Sequence, residues 1–343
     1  MLTEKIKSQA IVDAWLADGS RKARLWQLLF PAIKQVGLKL SFLKGAKNSY
    51  VKLQPHSFNV DTNPLKITGF DKMELDLPYF KNSKRIDEKV RQDFLTFSKT
   101  NDANLIAKYE RQIVSQFYEL LNGAEVIPDA LIGQLLSSGV VSISENGVAF
   151  SHDYGVAASQ KETLVGGALW TDTVNSNPMY DLERWMDAVQ DLCGERPTRA
   201  ICTRKTFNYL KQNAKINTEL NAVRLNVYDR TLKEFIMSKL DLEFMIYNET
   251  AVNYDGSTSL IYPDNKITLL PAGNIGNMYF GTTPAEIDLM ERPDKDVVLT
   301  GDEDGIAVNT IVIDDPVNIE TIVSEICMPS GENLNKIFIG TVG

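Results

Sequence analysis

The stretch from residue 36 to residue 78 constrains this chain more than any other, because it is patterned for strands that it cannot bury. Four runs alternate with period two: Leu38-Lys39-Leu40-Ser41-Phe42, Tyr50-Val51-Lys52-Leu53, Ser57-Phe58-Asn59-Val60 and Met73-Glu74-Leu75-Asp76-Leu77. Gly45, Pro55, Pro64 and Gly69 separate them, which reads as strands in a long hairpin-like excursion. The runs are too few, and too polar on one face, to build a core of their own. A two-stranded ribbon alone in water is marginally stable. This one needs a partner surface.

Around the ribbon the patterning is that of a folded body. Residues 3–17 read as a helix, a break follows at Asp18-Gly19-Ser20, and a mixed basic and apolar segment runs to Pro31. Residues 87–121 carry the strongest helical signal, with a break near 100–102. In its second part Ile106, Tyr109, Ile113, Phe117 and Leu120 line one face while Lys108, Glu110, Arg111, Ser115 and Glu119 take the other. Asn122-Gly123 reads as its stop and Pro128 as the opening of a shorter helix over 127–138. Asn146-Gly147 predicts a tight hairpin within 140–152. Further on, helices are expected over 178–193, 205–213 and 231–240, with strands over 199–203, 242–247, 266–270, 307–313, 317–328 and 336–339. Helices and strands mixed without strict βαβ alternation indicate an α+β fold.

At 343 residues the chain exceeds what one hydrophobic core usually serves, so two domains are expected. Apolar residues at 43% and charged residues at 24% exclude wholesale disorder. No stretch reaches the roughly 20 apolar residues of a membrane span, and the charged N-terminus lacks a signal peptide's apolar core. Cys193, Cys202 and Cys327 form no CxxC pair and read as free thiols of a reducing cytoplasm. The net charge of −9 is uneven: residues 1–112 carry +8 and the remainder −17. A basic arm on an acidic body suits adhesion of one subunit to the next, or nucleic-acid contact by the arm; the body would repel phosphate.

A search for chemistry finds none. The two histidines, His56 and His152, are isolated, and the neighbouring His152-Asp153 pair has no nucleophile in a recognisable setting. No zinc spacing is present. Gly273-Asn274-Ile275-Gly276 with Gly281 matches neither phosphate-loop pattern. Asp302-Glu303-Asp304-Gly305 lacks the spacing of a calcium loop and reads as a solvated turn. No catalytic, cofactor-binding or metal residue is assigned, and the chain is read as a non-enzyme.

Taken in order, the parts resemble a tailed-bacteriophage major capsid protein of the lambda-type capsid protein E family, with the Hong Kong 97-like fold. The segments that carry the resemblance are Leu169-Trp170 with Asp172, then Pro178 and Asp181-Leu182-Glu183-Arg184-Trp185, and Arg199-Ala200-Ile201-Cys202 with Phe207. Ile261-Tyr262-Pro263-Asp264-Asn265 leading into 266–270 is the clearest, followed by Gly281, Arg292-Pro293-Asp294-Lys295-Asp296 and Thr300-Gly301-Asp302. The resemblance implies an N-terminal arm (1–35), an extended β-loop (36–78), a peripheral domain with a spine helix (79–196 and 296–329) and an axial domain (197–295 and 330–343). Arm and loop would be buried on neighbouring copies, and the strand over 317–328 would cover the spine helix.

The implied function is self-assembly into hexamers and pentamers of an icosahedral shell enclosing double-stranded DNA, held only non-specifically. An encapsulin-like nanocompartment shell is the alternative. Other implied partners are a separate scaffolding protein, since only about 80 residues precede the peripheral domain, a portal, and a decoration protein; no membrane is involved. The implied location is the virion capsid, assembled in the host bacterial cytoplasm. Lys44, Lys47, Lys52 and Lys66 are candidates for inter-subunit contact with acidic surface on the next copy. The plain alternative is that they keep the loop soluble.

Overall fold

The computed structural model describes residues 7–18, 24–37, 39–44, 71–99, 103–222, 228–253, 255–301, 305–315 and 318–343. It divides into two compact units, one of residues 1–40, 74–131 and 277–330, the other of 41–73, 132–276 and 331–343.

The first unit is built on the strand Asn318–Pro329, buried along nearly its whole length. Ala307–Ile313 and Tyr79–Ile86 pair antiparallel with it, Val308 opposite Val323 and Ile86 opposite Ile319. Its C-terminal end pairs with Met278–Phe280, which takes Ala32–Lys34 in parallel, and Val297–Leu299 extends the other side. Ile306, Val308, Ile319 and Val323 meet Ile113, Phe117, Leu121 and Ala124 of the long helix in one core. The cover expected for that helix is therefore supplied by the strand expected to supply it.

Two expectations fail here, each for a packing reason. The helix starting at Ala103 does not stop at Asn122-Gly123; it runs unbroken to Ser138, about 54 Å at 1.5 Å per residue. Gly123 lacks the positive φ of a helix stop. Pro128 lies inside the helix, where a missing N–H and ring clash cost about 3 kcal/mol. Offsetting that cost, Leu121, Ala124, Leu131, Ile132, Leu135 and Leu136 are all buried, so an uninterrupted apolar face outweighs local breakers.

The second failure concerns the arm. Expected on neighbouring copies, its described part is buried on its own unit. In the helix Ser8–Leu16, Ile11, Val12 and Trp15 join the core of the long helix. Trp15 Nε1 donates to Asn122 at 2.9 Å, and Ser8 Oγ donates to the Asp296 carbonyl at 2.8 Å. The helix Leu25–Leu29 follows, with Trp26 donating its backbone N–H to buried Asp129 at 2.9 Å and packing edge-on to Phe280. The apolar stripe of residues 8–16 was legible; that its cover lies in the same chain was not.

The second unit centres on a five-stranded sheet ordered Lys161–Thr163, Phe338–Thr341, Lys266–Leu270, Arg199–Cys202 and Glu243–Ile246. The helices Pro178–Cys193, Arg204–Gln212, Ala214–Ala222 and Asp229–Leu240 bury their apolar sides in its core. Trp185 stacks on Phe338 at 5.3 Å and lies 6.0 Å from Trp170. Gly340 is required beneath it, since a Cβ there would come within 2.7 Å of the Trp185 ring. The predicted hairpin forms as Val140–Glu145 and Val148–Asp153, with Asn146 and Gly147 at φ 49° and 77°.

The strand Lys266–Leu270 also closes the C-terminal end of the long helix. The last four carbonyls of a helix lack partners within it. Lys266 Nζ donates to Ser137 O at 2.7 Å, and Thr268 Oγ1 donates to Leu136 O at 2.6 Å while accepting from Tyr262 Oη at 2.8 Å. Lys266 and Thr268 are two residues apart, on one face of the strand.

Candidate assembly surface

The root of the ribbon is held firmly by the first unit. The strand Ala32–Lys34 leads to Gly37, whose φ of 103° is a backbone conformation that favours glycine. Lys34 Nζ bonds the Gly281 carbonyl at 3.1 Å and the buried Glu286 carboxylate at 2.8 Å. Thr283 and Glu286 form a capping box for the helix Pro284–Glu291. Leu40, Leu75 and Leu77 are buried. Gly281 lies so close that a Cβ would stand 2.6 Å from Ile326 and 3.0 Å from Leu77. Beyond this root the strands Lys39–Lys44 and Asp71–Asp76 pair as a two-stranded sheet.

Of the four candidate lysines, Lys44 is the last residue of its strand. Lys47, Lys52 and Lys66 lie outside the described residues, as do the expected runs at 50–53 and 57–60, His56, and Asp302-Glu303-Asp304. The edge strand Tyr79–Ile86, which the sequence analysis does not assign, presents Lys81, Lys84 and Arg85. Arg85 reaches Glu320 at 2.9 Å and Ser83 Oγ donates to the same carboxylate at 2.6 Å. Those two bonds hold the Glu320 carboxyl below its usual range. Lys84 pairs with Glu119. Charges along an open edge discourage pairing with arbitrary strands. The Lys-Asn-Ser-Lys-Arg run at 81–85 carried that signal.

The groups that could have done chemistry are placed otherwise. His152 packs edge-on to Tyr154 at 4.7 Å; burial lowers its pKa, against the pull of Asp153. Asp153 accepts from the Gly155 N–H at 2.8 Å, bracing a turn. Cys193, Cys202 and Cys327 are buried and unpaired with one another. Burial pushes the Cys202 thiol up to about 12 and raises that of Cys327, the latter with help from Glu325. Thiols so held stay protonated and unreactive. Among the described residues no cluster of three His, Cys, Asp or Glu could hold a metal ion, and no helix is long and apolar enough to cross a membrane.

Comparison with known proteins agrees with this arrangement. The chain is similar in structure to the putative capsid protein of a prophage from E. coli CFT073, with TM-score 0.63, 15% identity, 97% of this chain and 98% of that one covered. It is also similar to a phage-related protein from Bordetella bronchiseptica RB50, with TM-score 0.58, 13% identity, and 97% and 96% covered. The α+β, Hong Kong 97-like fold expected from the sequence is the fold found. No curated protein matches the chain. A sequence profile described as phage major capsid protein E matches residues 8–342, nearly the whole length, and the chain accordingly belongs to the phage major capsid protein E family, whose members are structural shell subunits.

Proposed function

We propose that copies of this subunit form hexamers and pentamers that close into an icosahedral shell around double-stranded DNA in a tailed-phage virion. The observation that supports this reading best is the family match over residues 8–342. The paired strands Lys39–Lys44 and Asp71–Asp76 are in keeping with it: they leave a well-packed root without a third strand among the described residues, so their outer length calls for cover from another copy. In this reading 1–35 is the arm and 36–78 the extended loop; the peripheral domain, expected at 79–196 with 296–329, is centred on the first unit, and the axial domain, expected at 197–295 with 330–343, on the second, which also takes in 178–193. The arm remains on its own subunit and the loop reaches the neighbour. A separate scaffolding protein guides closure in the host cytoplasm, a portal occupies one vertex, and a decoration protein binds outside. The chain has no catalytic role.

Lys44, Lys47, Lys52 and Lys66 meet acidic surface on the adjacent copy. Each exposed pair contributes only about 0–1 kcal/mol, but the contact repeats at every subunit. Expression with and without the scaffolding protein, followed by negative-stain microscopy, tests the assembly. Closed shells are the expected product; particles that copurify with a cargo enzyme and never take up DNA would instead mark a nanocompartment. Charge reversal at Lys44 and Lys47 tests the contact, and unchanged shell yield and salt sensitivity would remove the electrostatic role.

A further inference from the structure

The five-stranded sheet ends on a strand with an open outer edge. Glu243–Ile246 runs parallel to Arg199–Cys202, with Arg199 opposite Glu243 and Cys202 opposite Ile246. The Glu243 N–H donates to Thr198 O at 2.8 Å and the Tyr247 N–H to Cys202 O at 3.0 Å. Residues 243, 245 and 247 therefore turn their peptide groups inward, and Phe244 and Ile246 turn theirs outward. Among the described residues no strand lies beyond them. Such an edge is a template for an added strand.

A groove of about 440 Å³ runs beside this edge, its walls including Arg199, Arg204, Lys233, Glu243 and Met245. Its charge opposes that of the chain as a whole, which is −9. Arg204 and Lys211 share one carboxylate, Asp229, at 2.9 and 2.7 Å. Lys233 stands 5.9 Å over the Phe207 ring and has no carboxylate partner among the described residues. Arg199 is bound by the neutral carbonyls of Pro271 and Gly273, with Glu243 the acid that acts on it. Three cations, Arg199, Arg204 and Lys233, thus line the groove against one carboxylate, Glu243.

We propose that this edge and groove bind an extended acidic segment of a partner protein. The segment adds a strand along Phe244 and Ile246 and sets its carboxylates against Arg204 and Lys233. Nucleic acid could use the cations, but its phosphates would confront the outward carbonyls of Phe244 and Ile246, whereas a peptide supplies N–H donors at the matching spacing. The probe is fluorescein-labelled Glu-Val-Glu-Val-Glu-Val, titrated by anisotropy with the unassembled full-length chain. Its Lys-for-Glu counterpart and a single-stranded oligothymidylate serve as rivals. The acidic peptide is expected to saturate and to bind at least about tenfold tighter than either rival. Lys233→Glu should weaken it by about tenfold. Ile246→Pro, which removes an outward donor and leaves the inward bonds of Met245 and Tyr247, should weaken it comparably, while Ile246→Ala should not. Three results would overturn the proposal: no saturable binding, equal or tighter binding of a rival probe, or full affinity in both Lys233→Glu and Ile246→Pro. Self-association of the chain that Lys233→Glu and Ile246→Pro both abolish, read by sedimentation velocity, would assign the edge to a second copy and overturn it as well.

Discussion

Replacing Thr268 by Val should cost far more than its near-identical shape suggests. Thr268 is fully buried, and its hydroxyl serves both the last turn of the long helix, at Leu136 O, and the hydroxyl of Tyr262. Tyr262 is itself fully buried, and burial pushes its phenol far above the usual tyrosine range, so it stays neutral and needs a partner. Thr268→Val leaves a buried carbonyl and a buried hydroxyl unpaired, at about 1–3 kcal/mol each, giving an expected loss of about 2–6 kcal/mol. Thr268→Ser keeps the hydroxyl and removes one methyl, a loss near 1 kcal/mol. Tyr262→Phe added to Thr268→Val removes one of the two orphans and should restore about 1–3 kcal/mol. Urea unfolding of unassembled subunits, followed by far-ultraviolet circular dichroism, measures all four. If Thr268→Val falls within about 0.5 kcal/mol of the parent, or Thr268→Ser is as damaging, the account of this helix end is wrong.

Three other outcomes follow from the same packing. Gly123 has open space around its missing Cβ and sits inside a continuous helix, so Gly123→Ala should stabilise by about 0.5–1 kcal/mol. At Gly133 a Cβ would lie 2.1 Å from Ile261 O, so Gly133→Ala should destabilise and lower soluble yield; opposite signs at two glycines of one helix are the readout. Trp15→Ala should cost about 3–5 kcal/mol in the unassembled subunit, measured by denaturant, because the cover of Ile113 and Phe117 belongs to the same chain; no loss before assembly would return the arm to a neighbour. Glu162 would be raised by burial, but bonds from Arg184 and Trp185 outweigh it and leave the carboxyl lowered. Its contribution is therefore complete above its unfolded value near 4.5 and lost as the pH falls through the lower folded value. Glu162→Gln should flatten the acid limb of the unfolding profile; an unaltered limb would remove Glu162 from the account.

Elements with a regular period and a clear cap were legible in the sequence. Pro178–Cys193 opens on proline and closes on Gly194 at φ 77°, and Lys266–Leu270 and Ala307–Ile313 fall where alternation and apolar runs place them. Ala214–Ala222 is not legible in the sequence because it buries only Ile216 and Leu220 among polar residues, too few to show a stripe. Pro284–Glu291 could have been found: Thr283-Pro284-Ala285-Glu286 is a capping box with proline at the first position. The failures at Asn122-Gly123 and Pro128 share one cause, long-range burial overriding local propensity. The ribbon announced itself as needing cover, while the blunted edge at 79–86 and the open edge at 243–246 did not. An edge is a property of strand order, and local composition does not specify strand order.

The path of the chain has a consequence for its synthesis. Phe338–Thr341 lies inside its sheet, between Lys161–Thr163 and Lys266–Leu270, and the first unit likewise draws on residues 277–330. While those segments are still in the ribosomal tunnel, the first unit lacks Asn318–Pro329 and the second lacks an interior strand, so neither sheet can close before those residues emerge. A chain cut short before residue 338 therefore leaves one side of Lys266–Leu270 without its antiparallel partner, an open edge in the middle of the sheet that the full chain does not have.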